Sequence, residues 1–423
     1  MSTPPRSSRR IDILLWGATG FTGQLVAEYL LRHYGVGGTV RWAIGGRSRG
    51  KLEAVRAALV AIDPKASALE ILVGESRDRA TLDAAVRDAK VVATTVGPYA
   101  LHGKELVAAC VEAGTDYADL CGETTFIRDM IDLHHERARA TGARIVPSCG
   151  YDSIPSDLGT LLVQERMREL HGAPCHQVKY FAGASKGGVS GGTVASMLNL
   201  VEEASKDGRV RRLLADPYAL DPGRPQRGPD GADQRGVRFD PDLGRWTGPF
   251  VMAAINTRVV RRSNRLLGYA WGEDFRYSEA MSFGAGAKGF LTASAVAGGT
   301  TGFLAAAIVP PLRRLLAKTV LPAPGEGPSK AARDAGYFTS RLVGLGRTRE
   351  GTPARLFGTV KGTSDPGYGE TAKMLTESAV CLALDEAIPR EGGILTPASA
   401  MGMVLVERLR RAGMTFATNE AAD

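Results

Sequence analysis

No C-x-x-C pair occurs in these 423 residues, and the five cysteines, Cys110, Cys121, Cys149, Cys175 and Cys381, stand apart from one another. An odd number of scattered thiols excludes a disulfide framework and points to a reducing compartment, the cytosol. The grouping His171, Cys175 and His176 lacks a second ligand pair and sits beside Gly172 and Pro174. It reads as a surface turn, and no metal is assigned. Cys121 and Cys149, at strand ends, read as inert buried thiols rather than nucleophiles. A small-residue cleavage site is missing after the opening MSTPPRSSRRIDILLW, so its short apolar run reads as a first β-strand behind a disordered leader. Charge is absent from residues 289–312, between Lys288 and Arg313. That length raises a membrane span, yet Gly298, Gly299, Thr300, Thr301 and Gly302 interrupt it and Pro310-Pro311 close it. The expectation is therefore a buried or membrane-surface segment.

What is present suits a folded chain of more than one domain: 44% of residues are hydrophobic and 23% charged. A net charge of +8 favours an acidic partner, whether a phosphorylated cofactor, an acidic carrier protein, an anionic membrane surface or nucleic acid, and does not choose among them.

The stretch LLWGATGFTGQLVAEYL is more specific. An apolar strand, Ile11–Trp16, feeds into Gly17, Gly20 and Gly23 and then into a helix over residues 24–32. This is how a chain brings its backbone close to a pyrophosphate and aims helix N–H groups at it. Gly17 makes the turn, Gly20 permits close approach, and Gly23 lets the helix pack on the sheet; Ala18, Thr19, Phe21 and Thr22 complete the cradle. The spacing is G-x-x-G-x-x-G instead of G-x-G-x-x-G. A second strand over residues 40–44 is followed by GGRSRGK, and no acid occurs from Thr39 to Leu52. An NAD-binding chain would carry an acid there for the ribose hydroxyl, whereas Arg47, Ser48 and Lys51 suit a 2′-phosphate, so the cofactor expected is NADP(H). A third strand, 89–96, ends at Gly97-Pro98-Tyr99, which places Thr95, Val96, Gly97, Pro98 and Tyr99 at the cofactor's ribose and nicotinamide. A helix over 103–113, a strand over 116–120, a helix over 125–140 and a strand over 143–147 continue the alternation. The fold expected is α/β, a Rossmann-type doubly wound parallel sheet followed by a second, mixed α+β substrate domain.

The motifs GATGFTG, GGRSRGKLE, TVGPYALHG, DYADLCGE, CGYDSIPSDLG and GGILTPASAMG together resemble the saccharopine dehydrogenase-like oxidoreductases, and within them the mycobacterial-type trans-acting enoyl reductases. The likeness runs from Ile11 to about Phe416. It implies an NADP-binding domain (1–153), a substrate domain (154–367) and a C-terminal helical segment (368–423) that packs back on the first domain. It also implies reduction of a double bond on a polyketide chain, in the building of phthiocerol and phenolphthiocerol lipids, with an acidic carrier domain of the synthase as the presenting partner. The long apolar segment from Phe283 to Leu316 suits an acyl chain better than the dicarboxylic amino acid of true saccharopine enzymes. A saccharopine-type amino-acid dehydrogenase and a non-catalytic lipid-associated protein remain the alternatives. No nucleic acid is expected; peripheral membrane contact through 289–312 and a homodimer stay open.

Enoyl reduction needs a hydride at the β-carbon, a donor for the enolate oxygen and a proton for the α-carbon. Tyr151, just past a sheet strand, is the first candidate donor and Tyr99 the second, with simple packing against the cofactor the equal alternative for either. Asp152 and Asp157 are expected to cap the helix that starts near Ile154. The Gly/Ser-rich stretch 184–196, followed by a helix over 194–204, reads equally as a substrate-facing loop or a tight strand-to-helix connection. Residues 216–249 read as a long surface excursion, a lid or a disordered loop. Arg258, Arg261, Arg262 and Arg265 read as a solvated surface, with docking of an acidic carrier as the alternative. Helices are expected over 368–384 and 397–412, broken by Gly392-Gly393, with Ala398 to Met403 packed closely on another element.

Overall fold

Ile11–Trp16 (β1) is buried at every position, as a parallel strand covered on both faces must be. The computed structural model describes residues 5–188, 191–224, 228–320 and 327–421. From β1 the chain alternates regularly: α1 (Phe21–Tyr34), β2 (Trp42–Gly46), α2 (Arg49–Val60), β3 (Glu70–Val73), α3 (Arg79–Arg87) and β4 (Ala89–Thr94). Then come the short α4 (Tyr99–His102), α5 (Lys104–Ala113), β5 (Asp116–Asp119), α6 (Thr124–Thr141) and β6 (Arg144–Val146). All these strands run parallel. The second strand lies two residues later than expected, because Gly45 belongs inside it. The ring of Trp16 fills the place of a side chain there, and a Cβ on Gly45 would sit 2.5 Å from Trp16 Cε3.

The second body opens with α7 (Ile154–His171) and β7 (Gln177–Lys186), followed by α8 (Gly191–Lys206) and α9 (Gly208–Ala215). Next are β8 (Arg238–Asp240), β9 (Arg245–Gly248), α10 (Ala253–Leu266), β10 (Arg276–Ser282), α11 (Ala287–Ile308) and α12 (Pro310–Val320). The chain continues through α13 (Lys330–Asp334), β11 (Tyr337–Arg347), β12 (Pro353–Gly362), α14 (Thr371–Leu384), β13 (Gly393–Ile394), α15 (Pro397–Arg411) and β14 (Thr415–Asn419). The first sheet has the order β13-β6-β5-β4-β1-β2-β3, and the second the order β14-β12-β11-β7-β10-β9-β8. The second is mixed, with β7 and β10 its parallel pair. The C-terminal segment thus does more than pack back: it gives an edge strand to each sheet. Its helix α14, buried from Thr371 to Leu382 except at Lys373, lies against β1, β4, β5 and α1.

Three sequence expectations are corrected here. The arginines of α10 are neither a solvated surface nor a docking face. Arg258, Arg261 and Arg262 are 3%, 4% and 3% exposed. Arg258 pairs with Asp233, Arg261 reaches Asp230 at 2.6 Å, Arg265 reaches Asp221 at 2.9 Å, and Arg262 donates to the carbonyls of Leu220 and Ile394. Apart from Ile394, these partners come from the 216–249 excursion, which folds back onto α10 and adds the β8–β9 hairpin to the second sheet; its residues 225–227 lie outside those described. Asp157 and Asp152 do not cap α7, whose N-cap Ser153 makes no capping bond. Asp157 lies inside its first turn and accepts from the backbone N–H of Ala398 at 2.8 Å and from the Ser263 hydroxyl, so it serves the start of α15 instead. Finally, of the two readings of the apolar segment, buried or membrane-surface, the buried one falls: in α11 only Gly289, Ala293 and Ala307 are buried.

Candidate functional site

Register puts the C-terminal ends of five strands on one edge: Trp16 pairs with Gly45 and Thr94, Thr94 with Asp119, and Ala118 with Val146. The loops that leave this edge carry almost all the expected site residues, where ligands of open parallel sheets bind.

Gly17 has φ +92°, and a Cβ there would come 2.5 Å from Val96 Cγ2. Thr95 Oγ1 donates to the Gly17 carbonyl at 3.2 Å and holds the turn. A Cβ on Gly23 would lie 2.2 Å from that same carbonyl, so only glycine lets α1 start this close to β1. Gly20, the N-cap of α1, has no side chain to satisfy the first N–H groups of the helix. An uncapped helix start over a turn that admits no Cβ fits a diphosphate by geometry and by donor type. Phe21 lies at its rim, with Tyr368 edge-on at 4.9 Å and the Arg333 guanidinium 5.4 Å from its ring centre. Arg333 escaped sequence reasoning because it sits on α13, far along the chain.

Arg47 is exposed at the end of β2, and Ser48 caps α2 by accepting from the N–H of Lys51. Among the described residues neither Arg47 nor Lys51 has an acidic partner, so both cations are free to take a phosphate. His102 is held below its ordinary range by burial, then by Arg77, after β3, and by Arg47. Arg77 also went unread in the sequence; its signal was its place just past the third strand.

The two tyrosines differ in their freedom. The Tyr99 phenol is buried, donates to the Thr94 carbonyl at 3.3 Å and accepts from the Leu120 N–H at 3.1 Å. Tyr151 is half-buried, its ring 4.8 Å from that of Phe338, its N–H on Thr371 Oγ1 at 3.2 Å; among the described residues its phenol makes no hydrogen bond. Burial, then Glu279 and Asp152, push the Tyr151 phenol upward, so it keeps its proton. The Asp152 carboxyl, 3.7 Å from where a Gly122 Cβ would stand, is pushed up to about 7 by burial and by Asp119. A carboxyl raised by burial and next in the chain to a candidate donor is a group the helix-cap reading missed.

Two further contacts close the edge. Buried Glu123 accepts from the N–H groups of Tyr99 and Ala100 at 2.8 and 2.9 Å and from Ser196 Oγ of α8 at 2.7 Å. Gly191 N–H donates to Tyr368 Oη at 3.1 Å, which brings the end of the Gly/Ser-rich stretch to the rim of the glycine turn; its residues 189 and 190 lie outside those described. A cavity of about 380 Å³, lined by Lys179, Phe181, Asp230, Arg276 and Ser278 among others, shares no residue with this edge.

Residues 13–146 match the saccharopine dehydrogenase NADP binding domain. A putative trans-acting enoyl reductase of Mycobacterium tuberculosis is 46% identical over 98% of this chain and 99% of its own. A trans-acting enoyl reductase of Mycobacterium bovis is 42% identical over 97% of this chain and 98% of its own. This chain belongs to the trans-acting enoyl reductase family. As a member with that dinucleotide domain it is an NADP-dependent oxidoreductase. The fold of the family member is also that of the apo saccharopine dehydrogenase of Saccharomyces cerevisiae, with a TM-score of 0.55, 11% identity and coverage of 97% of this chain and 99% of that one.

Proposed function

We propose that the chain reduces the α,β double bond of a polyketide or fatty acyl thioester with NADPH, acting in trans on a cytoplasmic polyketide synthase that presents the acyl group on an acidic carrier domain. The observation that carries this reading is the free, half-buried phenol of Tyr151 at the same sheet edge as the glycine turn. NADPH supplies the hydride to the β-carbon. Gly17, Ala18, Thr19, Gly20, Phe21, Thr22 and Gly23 hold its diphosphate; Arg47, Ser48 and Lys51 hold the 2′-phosphate. Thr95, Val96, Gly97 and Pro98 border the nicotinamide side. Tyr151 donates a hydrogen bond to the thioester oxygen as enolate character develops, and the α-carbon takes a proton from Tyr151 or through it. Asp152, next in the chain and with its carboxyl pushed up to about 7 by burial, is the group that would return that proton. Tyr99, whose phenol already has two partners, holds the loop rather than the substrate.

The amino-acid dehydrogenase alternative requires arginines free to hold two carboxylates, and Arg258, Arg261, Arg262 and Arg265 are all engaged. The test is NADPH oxidation with an enoyl thioester, with an oxo acid plus amine, and with neither. The proposal expects oxidation with the first alone; oxidation with the oxo acid and amine alone would overturn it.

A further inference from the structure

The helices α11 and α12 leave an exposed apolar face among the described residues. α11 is the one helix among the described residues long and apolar enough to cross a membrane by length and composition, and at 1.5 Å per residue it runs about 33 Å. Its outer side shows Leu291 at 66% and Ile308 at 59%, and α12 continues the patch with Leu312 and with Leu315 at 56%. The opposite side is anchored. Ala307 and Phe303 pack with Val194 and Leu198 of α8, and Phe290 meets Trp246 of β9 edge-on at 4.9 Å. A helix held along its length by its own domain lies flat on a surface instead of passing through it. Charge selects the surface. Between Glu279 and Glu326 the chain contains no Asp or Glu but four cations, Lys288, Arg313, Arg314 and Lys318. Lys288 and Arg314 are exposed, while Arg313 turns to Glu202 of α8 at 3.5 Å. A second copy docked on this face would set Lys288 and Arg314 against their own counterparts with no acid from either hairpin to compensate. An anionic bilayer meets both requirements, since its headgroups take the cations and its acyl boundary takes Leu291, Ile308, Leu312 and Leu315.

We propose that the α11–α12 hairpin is a membrane-surface anchor that binds anionic lipid bilayers and carries the reductase to its acyl substrates. The anchor stands on the exposed hairpin alone and does not depend on which bond the enzyme reduces. The test is flotation of the full chain with phosphatidylcholine vesicles, with and without phosphatidylglycerol, at low and high salt. Binding is expected only with the anionic lipid, weakening with salt and falling at least about tenfold in Leu291→Glu/Ile308→Glu. Arg314→Glu should weaken it more modestly, and NADPH binding by each variant checks that it is folded. Failure of the wild-type chain to float, or flotation unchanged in the folded double variant, overturns the proposal. A dimer that Leu291→Glu dissolves, formed by a chain that does not bind vesicles, overturns it in favour of a second copy as the occupant.

Discussion

Arg47 and Tyr151 carry the two most specific claims at the residue scale. Replacing Arg47 with Ala removes one charge-assisted contact to a phosphate, worth about 1.5–3 kcal/mol, so NADPH should bind at least about tenfold more weakly. NADH, which has no 2′-phosphate, should change little; isothermal titration with both cofactors checks this, and equal losses would remove Arg47 from the phosphate site. Tyr151→Phe should lower turnover at least about tenfold with NADPH affinity intact. Tyr99→Phe should spare turnover and instead lower stability by about 1 kcal/mol through its lost hydrogen bond. A reversal of the two tyrosine results would exchange their roles. The glycines of the turn were legible in the sequence because their job is local: a positive φ and a close approach leave a fixed spacing in the chain. The freedom of one phenol against the other was not legible, since Thr94, Leu120, Phe338 and Thr371 decide it from four different elements.

Among the elements, α10 departs furthest from its sequence. Four arginines in one helix read as a solvated face, because the spacing of charges says nothing of partners some thirty residues upstream. The 216–249 excursion supplies those partners, and the pairs become structural staples. Removing one member of a buried pair leaves the other uncompensated, so Arg261→Ala should cost about 3–5 kcal/mol in chemical denaturation. A loss below about 1 kcal/mol, the range of an exposed pair, would show that the staple is not buried in solution. The β10 strand supplies a second test. Glu279 is buried, accepts from Tyr277 Oη at 2.8 Å and from Asn256 Nδ2 at 3.0 Å, and is pushed up to about 7 by burial. The folded chain therefore keeps a proton that an unfolded carboxyl releases near pH 4, about its ordinary pKa. Stability from that retained proton is complete below about 4 and is lost as pH rises through about 7. In Glu279→Gln the term is gone, so the melting temperature of wild type relative to this variant should fall across that window; parallel curves would contradict the buried carboxyl.

For the whole molecule, the strands read at 11–16, 40–44, 89–96, 116–120 and 143–147 were enough to give a doubly wound sheet, although α2, β3 and α3, between residues 49 and 87, went unread. The way the C-terminal segment ties the two sheets was hidden, because β13 and β14 are short and gain meaning only from neighbours far along the chain. That tie matters for function. β13 edges the first sheet, β14 edges the second, and α14, which precedes both, supplies Thr371 to the loop that carries Tyr151. The cofactor edge and the candidate donor are therefore held by a single framework, as hydride and proton delivery to adjacent carbons requires. The central claim is that both deliveries occur at this edge and saturate a carbon–carbon double bond. The most direct measurement follows the hydride itself: turnover of an enoyl thioester with NADPH deuterated at the transferable position, and mass and NMR analysis of the product. The account predicts a saturated thioester with one deuterium on the β-carbon and a solvent proton on the α-carbon. Deuterium at the α-carbon, or at a carbon that began as a carbonyl or imine, would contradict it.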